Sequence, residues 1–318
     1  MRKKKHYLFI IGGILILTGL IIGLIVLVNN KFDFSKFDNS SYTTNTHELS
    51  DSFNEIVINT NTADIEFIFN DGLNKVECFE LTKEIHEVKV LNGKLTINVK
   101  NERKWYDYIG FNFKTPTIKI YLNKNKYDSI IINEDTGDIK LPKEFSFKTI
   151  EINASTGDII CQANGSDYTK IHLSTGNIDL TGTNSEIIDL KTSTGNISLN
   201  DIVSSNIKLK SSTGKTTLTN ISTNELISNS STGDIVLNNV IGSKFVIERS
   251  TGDILFNKSD AQELYIKTDT GDVCGTLLSN KIFKYDTDTG DVDLPSVMSG
   301  GKCEITTDTG DIKISIEA

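Results

Sequence analysis

The chain has 318 residues, with 33 Lys and Arg against 42 Asp and Glu for a net charge of −9. Arg2, Lys3, Lys4 and Lys5 are the only charged residues before Lys31, which leaves 29 bases (33 − 4) against 42 acids, or −13, for the rest and argues against nucleic acid or anionic lipid as ligands of the body. Cys78, Cys161, Cys274 and Cys303 are few, scattered and without a C-x-x-C pair, which excludes a disulfide scaffold, a zinc ribbon and thioredoxin-type redox chemistry.

Residues 1–6 form a basic tail, and Tyr7 to Val28 form an uncharged apolar run. At 1.5 Å per residue its length as a helix is about 33 Å, enough to cross a hydrocarbon core. The cations before it, against Lys31 and Lys36 interleaved with Asp33 and Asp38 after it, predict a single-pass cell-membrane anchor with its N-terminus in the cytoplasm and the remainder extracytoplasmic. A cleaved signal peptide is the competing reading. The run is longer than a signal h-region, and Leu27-Val28-Asn29-Asn30 lacks a small-x-small cleavage site. Residues 29–54 are polar and unpatterned, and read as a stalk.

Residues 55–129 hold strand-like segments without a fixed period, including Ile56-Val57-Ile58, Ile65-Glu66-Phe67, Leu95 to Val99 and Ile118 to Tyr121. Asn61 to Ile65 looks like a degenerate copy of the repeat that follows, with Ala63 in place of glycine. The segment is expected to cap that repeat, since terminal units of solenoids are atypical. Its aromatic residues Trp105, Tyr106, Tyr108, Phe111 and Phe113 are expected to cover the end of the rod, with a glycan or partner patch as the alternative.

From residue 130 to 318 a Thr-Gly pair recurs, with glycines at Gly137, Gly157, Gly176, Gly195, Gly214, Gly233, Gly252, Gly271, Gly290 and Gly310, in steps of 19 or 20. Apolar residues sit two and four positions after most of these glycines, as in Ile178 and Leu180, and seven and five before most of them, as in Ile188 and Leu190. Alternation of this kind predicts two short strands per repeat. So short a pair cannot bury its apolar side alone, and each repeat must stack on the next. The predicted fold is an all-β parallel solenoid of about ten 19-residue rungs, with rungs about 4.8 Å apart. Glycine serves a corner that needs positive φ, and the residue after it is Asp or Asn in every copy except that of Lys215.

Asp269, Asp272, Asp288, Asp291, Asp308 and Asp311 flank the glycines of three repeats in a row. They are a weak calcium candidate, since oxygen-rich clusters suit that ion; otherwise no cofactor is expected. A solvated acidic edge is the plainer reading, and such charge would discourage end-to-end pairing of rods. Threonines at Thr192/Thr194, Thr268/Thr270, Thr287/Thr289 and Thr307/Thr309 share parity with core positions, which predicts an inward threonine ladder. His6, His47, His86 and His172 stand isolated, and no hydrolase, zinc-protease or phosphate-loop motif occurs, so no enzyme is expected.

The segments Ile56 to Phe67, Gly93 to Val99 and Ile118 to Leu122, followed by serial S/D-T-G-D-I repeats, resemble the bacterial putative-adhesin family of β-helical domains, which includes LiaG-like envelope proteins. The resemblance covers roughly residues 50 to 318 and departs at Leu122-Asn123, where a proline would be expected. It implies an envelope surface protein and brings no catalytic residues with it. The combined expectation is a membrane-anchored, non-enzymatic rod for adhesion or envelope interaction, contacting cell wall, glycan or a membrane protein. An envelope-stress signalling or assembly scaffold is the alternative, and a glycan-processing enzyme comes third.

Overall fold

The computed structural model describes residues 2–33, 40–108 and 114–317. Helix α1 (Arg2–Asn29) is long and apolar enough to cross a membrane, and its apolar side chains are exposed all round. The rest of the described chain is β structure around one continuous apolar core.

The nineteen-residue period is the register of a parallel ladder. Thr136, Thr156, Thr175, Thr194, Thr213, Thr232, Thr251 and Thr270 pair in succession, so each Thr-Gly corner lies over the last. Side chains at the predicted inward offsets, such as Ile150, Ile152, Ile188, Leu190, Phe245 and Ile247, are fully buried, as are Cys161 and Cys303. The corner glycine answers to two demands. At Gly157 φ is +133°, and a Cβ there would lie 1.9 Å from the carbonyl oxygen of Gly137 in the rung before it. Only a residue without a side chain lets successive corners approach so closely.

Both ends depart from sequence order. Strand β1 spans Tyr42–Glu48, β2 Glu55–Thr62, β3 Asp64–Phe69, β4 Lys75–Leu81, β5 Glu84–Leu91, β6 Lys94–Asn101, β7 Thr117–Leu122, β8 Lys126–Thr136 and β9 Ile139–Leu141. The Gly137 rung, β8 and β9, is covered by β2 and β3, and these in turn by β6 and β7, all in parallel. Ala63 occupies the corner of the β2–β3 rung and donates its N–H to the carbonyl of Thr136 at 3.1 Å, as expected for a degenerate copy. Beyond it the ladder turns antiparallel: β5 pairs β6, β4 pairs β7, and β1 pairs β4. The stalk expected over residues 29–54 is therefore shorter, because β1 belongs to the sheet and Phe53 to the core. The alternating polar side chains of Tyr42–Glu48 give no apolar face to read, although its backbone pairs with β4.

At the other end, strand Gly301–Thr309 lies between Asp260–Thr270 and Lys281–Thr289, pairing Ile305 with both Ile266 and Tyr285. The Gly290 rung is thus outermost, and the Gly310 rung is tucked inside it.

Candidate functional site

The alternation of inward and outward side chains breaks just before the glycines, where two successive residues are exposed at every corner but that of Gly271. The break leaves a longitudinal groove. One wall carries the residues four before the glycine, among them Asn153, His172, Lys191 and Lys210; the other carries the residues two before it. That second wall is serine in six consecutive rungs: Ser155, Ser174, Ser193, Ser212, Ser231 and Ser250. The inward residue three before the glycine forms the floor. Two hollows mark the groove, one of 480 Å³ from the Ala63 rung to the Gly195 rung, and one of 310 Å³ from the Gly214 rung to the Gly271 rung.

The first wall is stiffened by an asparagine ladder. Asn59 donates to Asn98 at 2.7 Å, Asn133 to Asn59 at 2.9 Å and Asn153 to Asn133 at 3.1 Å. Along the floor, Thr192, Thr268, Thr287 and Thr307 point inward as expected and donate to the corner carbonyls of the adjacent rungs at 3.1–3.4 Å, whereas Thr194, Thr270, Thr289 and Thr309, expected inward on parity, are exposed because the alternation breaks at the corner. Elsewhere the floor carries polar groups that the protein leaves incompletely paired. Glu134, 4% exposed, accepts the Ala63 N–H with Oε1 at 3.3 Å, while Oε2 has no partner. Burial, aided by Asp64, Asp138 and Asp135 and opposed by the Ala63 N–H, pushes its carboxyl up to about 8. Glu134 is therefore neutral at pH 7. Arg249, 3% exposed, donates from Nη1 to the carbonyls of Ser228 (3.1 Å) and Glu248 (3.0 Å) and from Nη2 to Ser228 Oγ (2.9 Å). Its Nε has no partner, nor does the buried hydroxyl of Ser211, two rungs away along the floor. Burial lowers Arg249 to about 10, so it keeps its charge at neutral pH.

His86 is not isolated. Its Nδ1 lies 2.7 Å from Glu80 Oε2, its backbone N–H donates to the same oxygen at 2.7 Å, and its Nε2 lies 2.8 Å from Thr60 Oγ1. Asn45 donates to the other Glu80 oxygen at 2.6 Å. Burial pushes the Glu80 carboxyl up, but the bonds from His86 and Asn45 outweigh it and hold the group below the usual range. Cys78, Glu80 and His86 bring their donor atoms within 4.8 Å of one another, the one such trio of metal-competent groups among the described residues. The carboxylate and the imidazole are already bonded there, and burial raises the Cys78 thiol to about 12, so the trio reads as a closed network. Cys78 and Glu80 on β4 and His86 on β5 lie within nine residues of one another, while Thr60 on β2 is 26 positions from His86.

The residue after each glycine has an inter-rung task. Asp158 donates its N–H to Asp138 Oδ1 at 2.8 Å, Asn177 to Asp158 at 2.8 Å and Asp272 to Asp253 at 2.9 Å. Asp272, Asp311 and Asp291 are used in this ladder, and Asp269 lies 3.4 Å from Lys267. With Asp288 and Asp308 they do not converge on a common point among the described residues. Trp105 and Tyr106 sit on a single turn (Trp105–Tyr108) between β6 and β7, edge to face at 5.8 Å. Trp105 is 76% exposed, so these rings do not cover the core, which β1, β4 and β5 close instead. Phe111 and Phe113 lie outside the described residues.

The repeat and its corner agree with a family model that matches residues 53–219 and 203–318, described as Toastrack DUF4097. The chain belongs to the Toastrack DUF4097 family. Solved structures similar to this chain include a putative adhesin from Bacteroides fragilis, 14% identical over 86% of this chain and 97% of that one, with a TM-score of 0.43. A putative adhesin from Parabacteroides distasonis is 13% identical over 87% and 98%, with a TM-score of 0.47. A putative lipid binding protein from the same species is 13% identical over 87% and 98%, with a TM-score of 0.48. No curated protein matches the chain.

Proposed function

We propose that this Toastrack protein is a non-enzymatic surface rod, held to the membrane by α1 with its N-terminus in the cytoplasm, that binds an extended neutral or weakly charged glycan along the groove. The observation that carries this reading is the run of six serines over a floor where Glu134, Ser211 and Arg249 keep unpartnered polar atoms. Hydroxyls, amides and a protonated carboxyl offer donors and acceptors together, repeated at the rung spacing of about 4.8 Å. A polymer with hydroxyls in a regular row matches that pattern. Catalysis is disfavoured because the hydroxyl–imidazole–carboxylate arrangement found among the described residues, Thr60–His86–Glu80, is buried at all three members.

The detergent-solubilised chain, probed against cell-wall fragments and a glycan panel, should bind at least one linear glycan. Ser193→Trp and Ser212→Trp should abolish that binding with the melting temperature unchanged. Binding by no glycan, or binding indifferent to both substitutions, would remove the groove as the site. Crosslinking in cells that captures a membrane protein through the exposed Trp105–Tyr106 turn would favour the scaffold reading instead.

A further inference from the structure

The two ends of the rod are finished differently. At the N-terminal end the parallel ladder stops against antiparallel strands. At the other end strand Lys281–Thr289 pairs with Gly301–Thr309 on one side, and its second edge has no strand partner among the described residues. Positions that are core everywhere else are uncovered there. Tyr285 is 54% exposed, while Ile305 and Ile266, at the same level of the next two rungs, are 1% and 4% exposed. Val292, beside the buried Ile312, is exposed as well, while the exposed Ile282 lies on the opposite face of its strand, level with Lys302. An open edge beside bare apolar side chains is a template for another strand.

We propose that this end rung docks on a second copy of the chain, the two Lys281–Thr289 strands pairing antiparallel about a two-fold axis at Tyr285. The charge pattern selects both the partner and the register. With Tyr285 against its own copy, Lys284 stands opposite the second copy's Asp286 on each side of the axis, Phe283 opposite Thr287, and Ile282 opposite Asp288. A register centred on Lys284 sets lysine against lysine, and one centred on Asp286 sets aspartate against aspartate, which cross-strand neighbours do not tolerate. Self-complementarity about a two-fold is what an isologous dimer requires. The corner acids, expected from the sequence to keep rods apart, do not face one another along this strand.

The test is the mass of the full-length chain in detergent, measured by sedimentation across a concentration series. A dimer is expected. Lys284→Asp and Asp286→Lys should each weaken it by about tenfold, because each sets like charges opposite one another twice. The double variant Lys284→Asp/Asp286→Lys rebuilds both opposite-charge pairs and should return affinity to within about threefold of the parent. Both positions are exposed, and an unchanged far-UV spectrum confirms that the variants fold. A parent that stays monomeric overturns the proposal. So does a dimer that ignores the single reversals, which would place its contact on α1 or elsewhere, or a double variant no better than the singles.

Discussion

Asp291 donates its backbone N–H to the carboxylate of Asp311 at 2.9 Å, and Asp311 donates its own to Asp272, thirty-nine positions earlier, at 2.8 Å. Between Asp158 and Asp272 each such bond reaches back one repeat, as from Asp158 to Asp138, and at the other end Asp138 reaches back 74 positions to Asp64. The reversal between 291 and 311 records, in two hydrogen bonds, that the last two repeats have exchanged places. It also separates what the Asx residue does from an ordinary turn: its side chain serves the next rung, not its own.

Lys215 is the one interruption of that ladder. Its N–H donates to Asn196 Oδ1 at 2.9 Å, but its side chain offers Asp234 no acceptor. Lys215→Asn should complete the ladder and stabilise the protein by about 1 kcal/mol, and Asp253→Ala should cost about as much by removing the acceptor for Asp272. Urea midpoints at constant m-value would measure both.

Gly195 and Gly182 both have positive φ, at +142° and +73°, but only Gly195 is crowded: a Cβ there would lie 1.9 Å from the Gly176 carbonyl, and at Gly182 nothing lies within 4 Å. Gly182→Ala should cost about 1 kcal/mol from backbone strain alone. Gly195→Ala must also push apart two rungs and should cost more than about 4 kcal/mol, or prevent folding. Thermal melts followed by circular dichroism would separate the two.

Glu134 predicts a pH dependence of definite sign. Its folded carboxyl is raised to about 8, so between the ordinary carboxylate range and pH 8 the native state holds a proton that the unfolded chain has lost. Stability from this group is therefore full at low pH and declines as pH rises through that window, by up to a few kcal/mol. Glu134→Gln should flatten the decline, raising the melting temperature more at pH 8 than at pH 5. Equal effects at the two pH values would contradict the assignment.

The Thr60–His86–Glu80 relay is expected to matter to folding. His86→Ala leaves the buried Glu80 carboxylate with two of its three hydrogen bonds and should cost about 3 kcal/mol or more. Denaturant unfolding of His86→Ala beside Asn45→Ala, which removes only the outer bond, should rank them in that order.

Much of the rod was legible because stacking repeats must keep one period and one inward parity, and Gly157, Ile188 and Thr192 each declare theirs. Ala63 could be placed for the same reason. The exchange of the Gly290 and Gly310 rungs could not, because repeats that share a pattern are equivalent neighbours for Ile266. The groove lay in plain view as a serine in six successive repeats, but its meaning depends on what lies beneath, and the burial of Glu134 and Arg249 is a property of the corner in three dimensions. His86 meets Glu80 only six residues away, but its other partner, Thr60, comes from β2, 26 positions earlier and beyond any local pattern.

Interleaving at the N-terminal end bears on how the rod would carry load. A helix that tethers the chain to a membrane transmits tension first into β1, whose one strand partner among the described residues is β4. Beyond β1 the pull passes Phe53 into β2, which is clasped between β6 and β8. The outer strand can peel away alone, but β2 has to shear two ladders together, so β1 would yield under load while the rungs behind it hold.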